Sequence, residues 1–126
     1  MAVRHILVVD DDPGIRLAIA LRLRSVGFST AEATDGVEAV EYFAAHQADL
    51  AVLDVGMPRM NGYEVACALH ANPATRTMPI VILTAQDMEI PSAVRPQIGR
   101  HHFLTKPFSP RELVKVVMDL LGAEGT

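Results

Sequence analysis

The 126-residue chain has one cysteine, no tryptophan and only two Tyr and four Phe. A lone cysteine excludes an internal disulfide framework and suits a reducing compartment. Its neighbours Val65, Ala66, Ala68 and Leu69 read as helix, so Cys67 is expected to be a small core residue. So few aromatic rings leave no stacking platform for single-stranded nucleic acid. Nor is there a basic excess: 11 Lys and Arg face 15 Asp and Glu, a net charge of −4. That balance argues against direct nucleic-acid binding by the fold itself. No apolar run approaches the ~20 residues of a membrane helix. No signal-peptide pattern precedes the first strand, and a cytoplasmic location with no membrane contact is expected. Repeats, low-complexity tracts and internal linkers are lacking too. Half of the residues are hydrophobic, enough for one domain over residues 1–126 with a core of about 4–121.

What the chain does have is alternation. Short apolar runs at His5–Val9, Leu50–Val55 and Pro79–Leu83 suit strands buried on both faces of a parallel sheet. Phe28–Ala33 is a weaker strand candidate and Phe103–Thr105 a short one. Helical patterns lie between them over Pro13–Val26, Gly36–His46, Gly62–Ala71 and Ser109–Leu121. Gly27 falls where a helix C-terminus favours glycine. Ser109-Pro110-Arg111-Glu112 reads as a capping box with proline at the first helical position. Pro91 and Pro96 interrupt the place of the fourth helix, which is expected to be short or irregular. Five βα units imply an α/β fold with helices on both faces of the sheet. The expected architecture is a flavodoxin-like (βα)5 three-layer sandwich with parallel strand order 2-1-3-4-5.

In such a sheet the site lies at the carboxyl ends of the strands. There the first strand delivers Asp10 and Asp11, the third Asp54, the fourth Thr84, and the fifth runs into Lys106. Taken singly, each has an ordinary explanation: a turn, a helix cap, β-propensity, a solvated charge. A shared location is what those explanations do not predict. Two carboxylates about 5 Å apart at an effective dielectric near 20 repel by about 3 kcal/mol. A hard cation offsets that repulsion, and Mg²⁺ suits a site with few carboxylates and retained waters. Asp54 can then act as a nucleophile toward phosphorus. Lys106 supplies a compact cation and Thr84 a hydroxyl donor, which is most of what phosphoryl transfer asks of a protein. Asp12, the third acid of the Asp10-Asp11-Asp12 run, is expected to cap the helix that begins at Pro13.

The motifs VVDD (Val8–Asp11), LDVGMPRMNG (Leu53–Gly62), ILTA (Ile82–Ala85) and TKPF (Thr105–Phe108) resemble those of the receiver domain of two-component response regulators. The resemblance spans essentially the whole chain. It implies a signalling switch in a phosphorelay, not an enzyme beyond catalysis of its own phosphorylation and dephosphorylation. Asp54 is implied as the phosphoacceptor, a 4-aspartylphosphate when modified. Asp10, Asp11, Asp54 and the backbone carbonyl of Gly56 are implied as holding Mg²⁺, with Mn²⁺ as an alternative occupant. Thr84, Ala85 and Lys106 are implied as contacting the phosphoryl group. Thr84 and Phe103 are implied as the switch pair, Phe103 standing where Tyr is common. Gly56 and Gln86 sit where side chains tune hydrolysis. The implied partner is a phosphohistidine on a sensor histidine kinase or histidine phosphotransfer protein. A phosphorylation-dependent dimer is a further implication, usually through the fourth helix, fifth strand and last helix.

Two alternatives compete. Asp10-x-Asp12 with Thr84 and a later Lys imitates a small phosphatase of the haloacid-dehalogenase type. That family usually carries Thr or Val where Gly14 stands, and it leaves Asp54 unexplained. The other is a receiver-like interaction module that is never phosphorylated. On the first helix, Ile15, Ala18, Ile19 and Val26 make a core stripe. Leu17 and Leu21 form a second stripe, read either as ordinary surface leucines or as a docking site for a kinase helix, with Arg22 on the core side. His101-His102 is expected in a loop at the strand entry.

Overall fold

Runs of Val, Leu and Ile set the sheet, and the computed structural model describes residues 3–57, 59–85, 92–93 and 95–125. The strands are β1 (His5–Val9), β2 (Ser29–Ala33), β3 (Leu50–Asp54), β4 (Ile80–Thr84) and β5 (His101–Thr105). The helices are α1 (Pro13–Ser25), α2 (Gly36–Ala45), α3 (Gly62–Ala71) and α4 (Pro110–Gly125). All neighbouring strands pair in parallel, in the order β2-β1-β3-β4-β5. The expected fold class is therefore the observed one.

Side chains alternate across a strand, and this divides the core. Leu7, Val9, Leu53 and Ile82 face α2 and α3, where they meet Phe43, Val65 and Leu69. Ile6, Val8, Val52 and Leu83 face α1 and α4, where they meet Ile19, Leu23 and Val117. Each fully buried aliphatic side chain contributes about 1.5–3 kcal/mol. Every residue of β3 and β4 is buried, as is all of β1 but its first residue. The outer strands β2 and β5 are only partly covered. Their sequences are accordingly less apolar.

Caps aim the loops at one edge. Asp12 accepts hydrogen bonds from the N–H groups of Gly14 (2.9 Å) and Ile15 (3.2 Å), as expected of the third acid. Asp35 caps α2, and Asn61 with Glu64 forms a reciprocal capping box on α3. Ser109 accepts from the Glu112 N–H at 3.0 Å. Gly27 ends the first helical segment with φ of 104°, a value that suits glycine.

Three expectations are corrected. Ala18 is exposed, and the inward face of α1 uses Ile19, Ala20 and Leu23. Arg22 is exposed too, since the helix is rotated to seat Leu23 on the sheet. His101 and His102 belong to β5 rather than a loop, because pairing with Ile80 and Val81 carries the strand past its apolar run. Between β4 and β5 the described structure holds one short 3₁₀ turn, Arg95–Gln97, with Pro96 inside it. Pro58, Gln86 and Pro91 lie outside the described residues.

Candidate functional site

The strand order makes β1, β3, β4 and β5 successive neighbours, so the residues at their carboxyl ends converge. Asp10, Asp54 and Thr84 are buried polar residues, with 1%, 7% and 6% of their surface exposed. Asp11 is exposed beside them. One oxygen from each of Asp10, Asp11 and Asp54 lies within 4.8 Å of the others. Lys106 Nζ stands 3.0 Å from Asp54 Oδ1 and 3.3 Å from Asp10 Oδ2. Of the five groups that the sequence placed at this edge, Asp10, Asp11, Asp54 and Lys106 are thus brought together, and Thr84 is buried at the end of the strand between Asp54 and Lys106.

Asp10 is held on every side. Its Oδ1 accepts the Asp12 N–H at 2.9 Å and its Oδ2 the Lys106 ammonium. Burial pushes its carboxyl above the ordinary carboxylate range, and the Asp54 charge adds to that push. The Asp12 N–H and Lys106 oppose it without reversing it. For Lys106, burial disfavours the charged form, but the hydrogen bond and charge of Asp54, with those of Asp10, outweigh it. The ammonium is therefore stabilised.

The loops are tied by their backbones. The Lys106 N–H donates to the Thr84 carbonyl at 2.7 Å, so Lys106 rides on the end of β4. The Lys106–Pro107 bond is cis. The Val55 N–H donates to the Leu83 carbonyl, and Val55 in turn accepts the Gly62 N–H. A Cβ on Gly62 would stand 2.6 Å from the Asp54 carbonyl oxygen, so only glycine lets α3 begin so close to β3. Gly56 is open by comparison: its Cβ position is 4.0 Å from Asp54 Oδ2. Ala85 is exposed beyond Thr84. With Lys106 it borders a groove of about 500 Å³ between α1 and the start of α4. Ile15, Ala18, Phe108 and Leu113 make that groove apolar, and Arg22 lies on its wall.

Phe103, half-buried on β5, pairs in register with Ile82, two residues below the end of the strand. Its ring lies 6.4 Å from that of Tyr63 on α3 and meets His101 edge-on at 5.1 Å. No motif in the sequence marks Tyr63, nor the ion pair of Arg59 with Asp35. Arg59 sits in the β3–α3 loop with φ of 65°, and the pair clasps that loop to the start of α2. The Glu38 N–H and then Arg59 hold the Asp35 carboxyl below its usual range. Left-handed backbone at a non-glycine residue has no pattern in sequence, so this clasp had no visible signal.

The three carboxylates offer oxygen only, with one ammonium among them. That donor set fits a hard divalent cation that keeps some of its waters. Asp12, turned to the N-terminus of α1, is committed to capping, which deprives the Asp10-x-Asp12 phosphatase reading of its second acid.

A family model, the response regulator receiver domain, matches residues 6–118. The chain is 37% identical over 110 residues to the alkaline phosphatase synthesis transcriptional regulatory protein PhoP of Bacillus subtilis, covering 87% of this chain and 45% of that protein. It is 38% identical over 111 residues to the DNA-binding response regulator MtrA of Mycolicibacterium smegmatis, covering 88% and 47%. The chain thus spans about half the length of the curated relatives it matches. Among solved structures it is similar to the receiver domain of a Pseudomonas aeruginosa sensor histidine kinase with a magnesium ion in its active-site cleft. That likeness has 30% identity and a TM-score of 0.85, over 96% of this chain and 99% of that one. It is also similar to the chemotaxis protein CheY4 of Vibrio cholerae, at 29% identity and a TM-score of 0.86, over 94% and 99%. Sheet order, acidic pocket and family match agree: the chain belongs to the response regulator receiver domains, the phosphorylation-dependent switches of two-component signalling.

Proposed function

We propose that Asp54 accepts a phosphoryl group from the phosphohistidine of a sensor histidine kinase or histidine phosphotransfer protein. The observation that carries this reading is the meeting of Asp10, Asp11 and Asp54 within 4.8 Å, bridged by Lys106. An Asp54 oxygen forms the new bond to phosphorus as the phosphorus–nitrogen bond breaks. The departing imidazole keeps the bonding pair and takes up a proton. Asp10, Asp11, Asp54 and the Gly56 carbonyl hold Mg²⁺, or Mn²⁺ in its place. When bound, the cation neutralises charge that builds up on the phosphoryl oxygens. Lys106 orients Asp54 and brings a second positive charge to those oxygens, the Thr84 hydroxyl donates to one of them, and Ala85 leaves room for them.

Thr84 and Phe103 form the switch: as Thr84 is drawn toward the phosphoryl group it leaves space into which the Phe103 ring, here 6.4 Å from that of Tyr63, turns. Residues 1–126 act as one receiver domain in the cytoplasm, catalysing only their own phosphorylation and dephosphorylation and touching neither membrane nor nucleic acid directly. The phosphorylated form dimerises. Leu17 and Leu21, about half exposed on α1, are read first as ordinary surface leucines and second as a docking site for the helix of a kinase or phosphotransfer protein. Charge reversal at Arg22 that left partner-dependent phosphorylation unchanged would overturn that docking site.

The test is incubation with Mg²⁺ and a small phosphodonor, followed by mass spectrometry. An acid-stable, hydroxylamine-labile gain of one phosphoryl group is expected in the wild type and in Asp12→Asn, and is lost in Asp54→Asn. Labelling that survives Asp54→Asn, or a wild type that takes no label from any donor, overturns the reading.

A further inference from the structure

Arg16, on the first turns of α1, is not among the residues at the strand ends, yet its guanidinium reaches them. Its Nη1 donates to the Asp10 carbonyl oxygen at 2.9 Å, and its Nε donates to Glu32 Oε1 on β2 at 3.0 Å. Its side chain is only 16% exposed. Glu32 is itself fixed from the other side, with Arg24 Nη2 3.7 Å from Oε2 and Arg24 Nε donating to Thr30. A ladder of charged groups across α1 and β2 thus ends on one backbone oxygen of the acidic pocket.

That oxygen belongs to the peptide joining Asp10 to Asp11. A peptide unit is planar, so fixing its carbonyl also fixes the direction in which the Asp11 backbone leaves. The Asp10 N–H is already tied to the Ala33 carbonyl at 3.3 Å, and the Asp10 carboxylate to Asp12 and Lys106. Arg16 holds the remaining backbone group. Asp11 is exposed and lies beyond this anchored peptide. Mg²⁺ demands near-ideal octahedral geometry, so loss of this anchor is felt at the ion.

We propose that Arg16 is a positioning residue of the cation site, setting the Asp10–Asp11 peptide so that both carboxylates converge on Mg²⁺. The inference rests on the cation-site reading given above. Two physical effects of Arg16 oppose each other. By charge alone a guanidinium near the pocket repels a dication, and its removal tightens binding. By geometry its removal loosens the pocket and weakens binding. Partners that orient metal ligands typically matter by 10–100-fold in affinity, and the geometric effect prevails.

Calorimetric titration of the full chain with Mg²⁺ separates the two. Arg16→Ala is expected to weaken Mg²⁺ binding by about tenfold. Arg16→Lys keeps the charge but not the two-pronged reach, and is expected to weaken binding as well, which keeps the test open if the alanine variant does not fold. Arg24→Ala removes a positive charge from the same ladder without touching Asp10, and is expected to leave Mg²⁺ affinity unchanged. Labelling of Asp54 by a small phosphodonor should need more Mg²⁺ in both Arg16 variants and reach the wild-type plateau at saturation. Tighter binding by Arg16→Ala, or wild-type affinity in Arg16→Lys, overturns the proposal while the site reading stands. A wild type that takes up no Mg²⁺ overturns both.

Discussion

Lys106 Nζ lies 3.0 Å from Asp54 Oδ1 although the strands that carry them are not neighbours. β4 runs between β3 and β5, so the lysine reaches past the end of a whole strand to meet the carboxylate. The backbone bond from Lys106 to the Thr84 carbonyl sets the height of that reach. The ion pair is therefore a product of sheet order, and it places one cation against two of three crowded acids.

Removing that cation should divide binding from chemistry. Lys106→Met relieves the competition between an ammonium and Mg²⁺ for Asp54 and Asp10, so Mg²⁺ affinity measured by calorimetry should rise. Labelling of Asp54 should fall. A hydrogen bond to a charged group is worth about 1.5–3 kcal/mol, and 1.36 kcal/mol is tenfold in rate, so the loss should be roughly ten- to a hundredfold. A variant that loses metal and labelling together would show that Lys106 acts by holding the pocket in shape.

The limits of the sequence reading follow from the range of the forces involved. β1 and α3 were legible to the residue because an apolar run and a helical period are local signals. Asp10, Asp54, Thr84 and Lys106 were legible because each stands at or directly after the end of a strand, and parallel order alone brings strand ends together. The inward face of α1 was misjudged at Ala18 because helical rotation is settled by what Leu23 meets on the sheet. β5 begins two residues before the Phe103–Thr105 run because its start is fixed by pairing with β4, with little apolar pattern of its own. Arg16 and the Arg59–Asp35 clasp act through contacts between distant segments, and a residue's neighbours in sequence carry no trace of them.

Gly62 and Gly56 flank the same loop and should respond oppositely to alanine. At Gly62 a Cβ would meet backbone atoms of Asp54 and Val55 at 2.6–3.0 Å. Backbone cannot swing away as a side chain does, so Gly62→Ala should lose about 1–3 kcal/mol in urea unfolding and weaken Mg²⁺ binding as β3 shifts. At Gly56 the nearest atom is Asp54 Oδ2 at 4.0 Å. Gly56→Ala should unfold like the wild type, while the lifetime of the label on Asp54 changes because the methyl group stands beside it.

Asp12 should behave as a structural acid. It receives the N–H groups of Gly14 and Ile15, and loss of such a cap costs about 1 kcal/mol. Asp12→Ala should lower the unfolding free energy measured in urea by that amount and leave Asp54 labelling at saturating Mg²⁺ intact. Loss of labelling in a folded Asp12→Ala protein would place this acid in the chemistry after all.

Asp10 should behave in the reverse way. Its carboxyl is raised above the ordinary value of 3.8 by burial and by Asp54, over the opposition of Asp12 and Lys106. A raised acid binds its proton more readily folded than unfolded, so ionisation weakens the metal-free fold. Metal-free stability should accordingly gain from Asp10 as pH falls through its raised folded value, with the full gain present below 3.8. Asp10→Asn keeps an oxygen for the Asp12 N–H and carries no charge. It should be more stable than the metal-free wild type at neutral pH, and its urea stability should lack that segment of the pH dependence. Mg²⁺ should stabilise the wild type and do far less for Asp10→Asn, because the repulsion that the ion offsets has been removed together with one of its ligands. Unfolding midpoints with and without Mg²⁺ across pH 3–8 check all three outcomes. A metal-free Asp10→Asn protein less stable than the wild type at neutral pH would mean that the Lys106–Asp10 attraction exceeds the cost of the buried charge.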